Sequence, residues 1–122
     1  MIKIGILGSG YIAETHANSL KNIIDAQLIG VAGGSRVATF AKKHNIKNYP
    51  NIDELLSDPN KDAVIICTTH GLHKEEAISA ANNRKAIFLE KPMALNSQEC
   101  QDIIVATEKN HVALMIGHSQ RY

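Results

Sequence analysis

Five short runs of this chain are apolar at most consecutive positions: 3–8 (KIGILG), 26–32 (AQLIGVA), 62–68 (DAVIICT), 86–90 (AIFLE) and 112–117 (VALMIG). A strand with one wet face alternates apolar and polar residues. An unbroken apolar run needs cover on both faces, which is the condition of a parallel sheet. Between these runs the apolar period lengthens to that of a helix, over 11–21, 36–44, a short stretch after Asn51, 72–82 and 97–109. Ser35 is placed as the N-cap of the second helix, and Asn51 with Glu54 resembles a capping box. Asn96 and Glu99 open the last helix in the same way. An extended piece at 47–49, stopped by Pro50, adds a third strand in chain order. The succession βαβαβαβαβαβ with right-handed crossovers predicts one α/β domain over residues 1–122. Its sheet is doubly wound and parallel, in the strand order 3-2-1-4-5-6.

Other classes are set aside by composition. A length of 122 residues suits a single core, and a net charge of +1 without a basic run speaks against nucleic acid or a membrane surface as partner. The start, MIKIGILGSG, is broken by Lys3 and glycines, so neither a signal peptide nor a membrane span is expected, and a cytoplasmic protein is. Two cysteines are too few for a disulfide framework, and Cys67, inside an apolar run, is expected as a buried thiol.

The first chemical motif is GILGSGYIAETHA, in which Gly8, Gly10 and Ala13 match G-x-G-x-x-G/A between a strand and a helix. Gly8 permits the tight turn, Gly10 lets backbone approach a diphosphate, and Ala13 lets the helix pack close to the strand. Tyr11 and Ile12 open that helix, where free N–H groups and partial positive charge suit phosphates. Dinucleotide binding follows, against the alternative of a structural turn. An NAD site would carry an acid at the end of the second strand to hold the ribose 2′-hydroxyl. Here Gly33 and Gly34 stand there, and Asp25 comes too early. Ser35 and Arg36 follow, with a hydroxyl, an amide and a guanidinium for a 2′-phosphate, so NADP is expected in preference to NAD. The plainer alternative is a capping serine beside a solvated arginine.

A second constellation, CTTHGLHKEEA, falls at the carboxyl end of the fourth strand, on the rim where ligands of open α/β sheets bind. Thr68, Thr69, His70 and His73 are placed in the cofactor cleft, with His73 donating to a ribose or phosphate oxygen. The His70/His73 pair has no third ligand nearby and makes a poor metal site. A histidine that merely caps the turn is the alternative. The fifth strand ends on the same rim in Glu90, Lys91 and Pro92. Glu90 is positioned to accept from ribose hydroxyls, and Lys91 to bond a substrate oxygen or move its proton. Pro92 would lock the corner. A surface ion pair followed by a loop proline is the competing reading.

EKPMALN, preceded by TTHGLHKEEA and GSGYIA and followed by LMIGHSQRY, resembles the N-terminal half of the glucose–fructose oxidoreductase / inositol dehydrogenase / MocA (Gfo/Idh/MocA) family. The resemblance covers essentially all 122 residues. It implies a Rossmann domain that binds NAD(P), with Lys91 touching nicotinamide and substrate and Glu90 assisting. It also implies that Thr68, His73 and the glycine loop line the cleft, and GHSQRY resembles a strand end that brings His118 and Arg121 near it. Thr69 departs from a usual proline and His70 from a frequent asparagine. In the family a second α/β domain follows, carrying substrate groups and the oligomer interface, and it is expected to be missing from this chain. The implied reaction of the parent, a homo-oligomer, is hydride exchange between nicotinamide and a carbinol or carbonyl carbon of a sugar, cyclitol or polyol. A non-catalytic NAD(P)-sensing regulatory module and a small-ligand reductase of biliverdin type are the alternatives.

Overall fold

A computed structural model describes residues 1–68, 70–90 and 96–117, His70 by its backbone alone. The strands are β1 (Ile2–Leu7), β2 (Ala26–Ala32), β3 (Lys47–Asn48), β4 (Ala63–Ile66), β5 (Ala86–Glu90) and β6 (Leu114–Gly117). The helices are α1 (Tyr11–Leu20), α2 (Val37–His44), α3 (Ile52–Ser57), α4 (His73–Asn82) and α5 (Ser97–Asn110), with a 3₁₀ turn at His70–Leu72 before α4. All pairings are parallel, in the order β3-β2-β1-β4-β5-β6. This is the expected doubly wound sheet.

The consecutive apolar residues divide between two cores because successive side chains of a strand leave on opposite faces. Leu7, Val64, Ile66, Ile87 and Leu89 pack with Leu55, Leu56, Ala77, Ala81 and Ile103 of α3, α4 and α5. Ile4, Ile6, Val31 and Ile65 pack with Ala13 and Ala17 of α1 and Phe40 of α2. Ala13 is fully buried, as close helix–strand packing requires.

Two helices are capped as expected, each by an asparagine three residues before the amide it meets. Asn51 Oδ1 accepts from the Glu54 amide at 2.8 Å and Asn96 Oδ1 from the Glu99 amide at 2.9 Å. Ser35 is a correction. Helix α2 begins at Val37, with Arg36 in the cap position and no capping side chain of its own. Gly33 and Gly34, at φ 84° and 93°, carry the turn one residue further than expected. Ser9 supplies the hydroxyl instead, accepting from the Arg36 amide at 3.2 Å.

The crossover from β3 to β4 is held by a polar cluster. Tyr49 donates to Asp58 and accepts from Lys61 Nζ at 2.5 Å, and Lys85 Nζ donates to the carbonyls of Asp58 and Lys61. Gly30 leaves the room: a Cβ there would lie 2.5 Å from the Tyr49 ring. Burial first, and Asp58 second, push the Tyr49 hydroxyl up to about 12. Among the described residues no helix is long and apolar enough to cross a membrane, and no cluster of side chains could hold a metal ion.

Candidate dinucleotide site

The turn after β1 is built on two glycines with different jobs. Gly8 has φ 104°, and a Cβ on it would lie 2.8 Å from the Cys67 carbonyl oxygen, so the fold itself demands glycine. Gly10 has an ordinary extended backbone, and a Cβ there would meet nothing within 4 Å. The fold does not need Gly10. The space in front of it lies at the N-terminus of α1, whose cap position carries no capping side chain. Unspent N–H groups and the helix dipole make that space suitable for a diphosphate. Ile12 is half-buried, while Tyr11 is 83% exposed.

A cleft of about 330 Å³ opens from this point. The glycine loop forms its floor, Gly34, Ser35 and Arg36 one wall, and Cys67, Thr68 and Leu72 the other. Ser35 and Arg36 are exposed on the rim, as the 2′-phosphate reading needs. The two loops interlock: a Cβ on Gly34 would run into the Ser9 hydroxyl. Among the described residues, the donor set is therefore amides, hydroxyls and one guanidinium, with no carboxylate in the lining. That chemistry fits a dinucleotide, including one with a 2′-phosphate.

The far wall corrects one expectation. His73 is fully buried, with Nε2 3.0 Å from the Thr68 carbonyl. A carbonyl only accepts, so Nε2 carries the proton and the ring supports the turn from beneath rather than facing the cleft. The 3₁₀ turn delays α4 by one residue, to His73, and turns this face inward. The Thr68 hydroxyl donates to Glu76, so toward the cleft it can only accept. Glu76 itself is buried, and burial raises its carboxyl above the usual range against smaller lowering by Thr68 and His73. Its Oε2 has no hydrogen-bond partner. Glu76 was missed from the sequence, although His73, Glu76, Ala77 and Ala80 share one helical face. Cys67 is half-buried, its thiol pushed far up by burial and then by Glu90.

At the end of β5, Glu90 is buried and its Oε2 lies 3.0 Å from His16 Nε2 on α1. This carboxylate is therefore not a solvated surface group, while the Lys91 of the competing ion-pair reading lies outside the described residues. A Cβ on Gly117 would lie 2.5 Å from the same oxygen. His16 was not singled out from the sequence, though it shares a face with Ala13, Ala17 and Leu20. Thr69, Lys91, Pro92, His118 and Arg121, with the side chain of His70, lie outside the described residues.

Comparison with known proteins agrees with this geometry. The chain is 36% identical over 124 residues to myo-inositol 2-dehydrogenase of Thermotoga maritima, which takes in 99% of this chain and 37% of that protein. It is 34% identical over 124 residues to glucose-6-phosphate 3-dehydrogenase of Bacillus subtilis, with 100% and 35% covered. Biliverdin reductase of Synechocystis, solved with biliverdin and NADP+, superposes with a TM-score of 0.92 at 27% identity, over 98% of this chain and 38% of that one. The chain thus spans about a third of the length of the relatives it matches. With residues 2–118 matching its model, the chain belongs to the Gfo/Idh/MocA oxidoreductase family, in the part described as the NAD-binding Rossmann fold.

Proposed function

We propose that this chain is the cofactor-binding part of an NAD(P)-dependent oxidoreductase that acts on a carbinol or carbonyl carbon of a sugar, cyclitol or related polyol. The observation that carries the reading is the open space before Gly10 at the start of α1, continuous with a cleft whose described lining residues include no carboxylate. The diphosphate would lie over Gly10 and the N–H groups of Tyr11 and Ile12. The adenine ribose would lie against Ser35 and Arg36, which favours NADP over NAD. The nicotinamide half would run past Thr68 toward Glu90, Lys91 and Pro92, with His118 beyond. When bound, the cofactor supplies the hydride acceptor or donor. The protein's share is orientation and proton movement: Glu90 receives ribose hydroxyls, and Lys91 holds the substrate oxygen and its proton.

Substrate groups, and a homo-oligomer interface, would come from the remaining two-thirds that the relatives possess. The names of the inositol and glucose-6-phosphate dehydrogenases support the substrate class. The likeness to biliverdin reductase concerns the same third and carries cofactor binding alone. The reading is tested by titrating this chain with NADPH and NADH while following nucleotide fluorescence, and by assaying it against a polyol panel. Binding without turnover is expected. Absence of binding would defeat the cofactor role, and robust turnover would defeat the two-part active site. In a longer protein that carries this domain, Lys91→Ala should cut kcat roughly a hundredfold or more with little change in cofactor affinity. Near-native turnover there would make the corner structural.

A further inference from the structure

We propose that His16 is a positioning residue for the nicotinamide half of the cofactor, acting through Glu90; the proposal rests on the dinucleotide reading above. His16 lies on the face of α1 that otherwise carries Ala13, Ala17 and Leu20. Its side chain is 18% exposed, and that of Glu90 9%. A polar ring on so apolar a face is costly unless a partner meets it. The partner is Glu90, 74 residues away in sequence, with Oε2 at 3.0 Å from Nε2. A carboxylate accepts, so His16 Nε2 donates.

Both members of the pair are held from a second side. The His16 ring meets the edge of Phe88 at a centroid distance of 5.1 Å and an interplanar angle of 70°, a favourable T-shaped contact. Against Glu90, Gly117 leaves the room the carboxylate occupies, since a Cβ there would lie 2.5 Å from Oε2 and 2.8 Å from Phe88. The ring is therefore fixed, and the ring fixes the carboxylate. One oxygen is tied toward α1, which sets the plane in which Glu90 meets a ribose beyond the carboxyl end of β5. Helix α1 thus serves both ends of the cleft. Its first turn faces the diphosphate, and its second turn aims the acid at the nicotinamide side.

The experiment compares two probes on this chain: NADPH, and 2′-phospho-ADP, which lacks the nicotinamide together with the ribose that Glu90 would meet. His16→Leu keeps apolar volume against Phe88 and removes the donor. It should weaken NADPH roughly tenfold, the loss of one aligned hydrogen bond to a charged group, and leave 2′-phospho-ADP within about twofold. His16→Gln, whose amide can still donate, should restore most of the loss. Gly117→Ala displaces the same carboxylate through a different atom and should show the same split between probes, so the idea stays testable should His16→Leu fail to fold. Equal weakening of both probes, or of neither, would show that the pair only braces the fold and would overturn the proposal. A native chain that binds neither probe would overturn the dinucleotide reading itself, a result distinct from the failure of His16.

Discussion

The Ser9 hydroxyl accepts from the Arg36 backbone amide at 3.2 Å, tying the glycine loop after β1 to the loop after β2. This bond starts α2 one residue later than a capping Ser35 would, and it leaves Arg36 at the helix entrance on the cleft rim. Under the proposed function, the guanidinium is what a 2′-phosphate would meet. Arg36→Ala should lower NADPH affinity about ten- to a hundredfold and leave NADH nearly unchanged, the span of roughly 1.5–3 kcal/mol for a charge-assisted bond. Because Arg36 is exposed, the difference should shrink as salt is raised. Paired dissociation constants for both cofactors at two ionic strengths check it. A cofactor ratio that the substitution leaves untouched would place Arg36 outside the site.

The two loop glycines should separate folding from binding. Gly8→Ala meets both a positive φ and the Cys67 carbonyl, so a loss of several degrees in Tm is expected. Gly10→Ala meets no atom within 4 Å and should melt close to the native chain. Its methyl would instead occupy space the diphosphate needs, so affinity should fall by about an order of magnitude or more. Melting curves and cofactor titrations on both variants decide the matter. A Gly10→Ala chain that binds normally would move the diphosphate away from α1.

Tyr49→Phe removes the hydroxyl that bridges Lys61 and Asp58, leaving the buried Lys61 only its longer direct contact with Asp58 at 3.3 Å. The expected cost is about 1–3 kcal/mol, read as a Tm lower by several degrees. None of these residues lines the cleft, so NADPH affinity of the folded variant should be unchanged. Loss of binding without loss of stability would mean that the β3–β4 crossover shapes the site after all.

What could be read from the sequence divides along a physical line. Runs such as VIIC and IFL announced strands covered on both faces, and the parallel order followed from the crossovers. Asn51 and Asn96 were legible because a cap and its amide sit three residues apart. Ser9 capping α2 from 27 residues away was not, nor was His16 meeting Glu90. Such bonds exist only once the crossovers have brought distant turns together. His73 shows the same limit on a smaller scale. It was expected to donate into the cleft, but the ring is buried with Nε2 on the Thr68 carbonyl, behind a 3₁₀ turn of three residues. The motif marks the candidate site, and tertiary packing decides which side chains face it.

Glu76 should leave a mark on the pH dependence of stability. Burial is the largest influence on its carboxyl and raises it above the ordinary 4.5, with Glu75 adding to the rise and the Thr68 hydroxyl and His73 opposing it. The folded chain therefore holds this proton more tightly than the unfolded chain does. Stability from this group is fully present below the ordinary value. It declines as pH rises through the raised value and is level beyond it. Glu76→Gln keeps an oxygen to accept from Thr68 and has no proton to lose, so it should flatten that decline. Chemical denaturation of both chains from about pH 4 to about pH 8 isolates the effect, since the linkage appears as a difference between two curves. Parallel curves would show that Glu76 ionises as freely in the folded chain as in the unfolded one, and the buried Thr68–Glu76 pair would then have no bearing on the wall of the cleft.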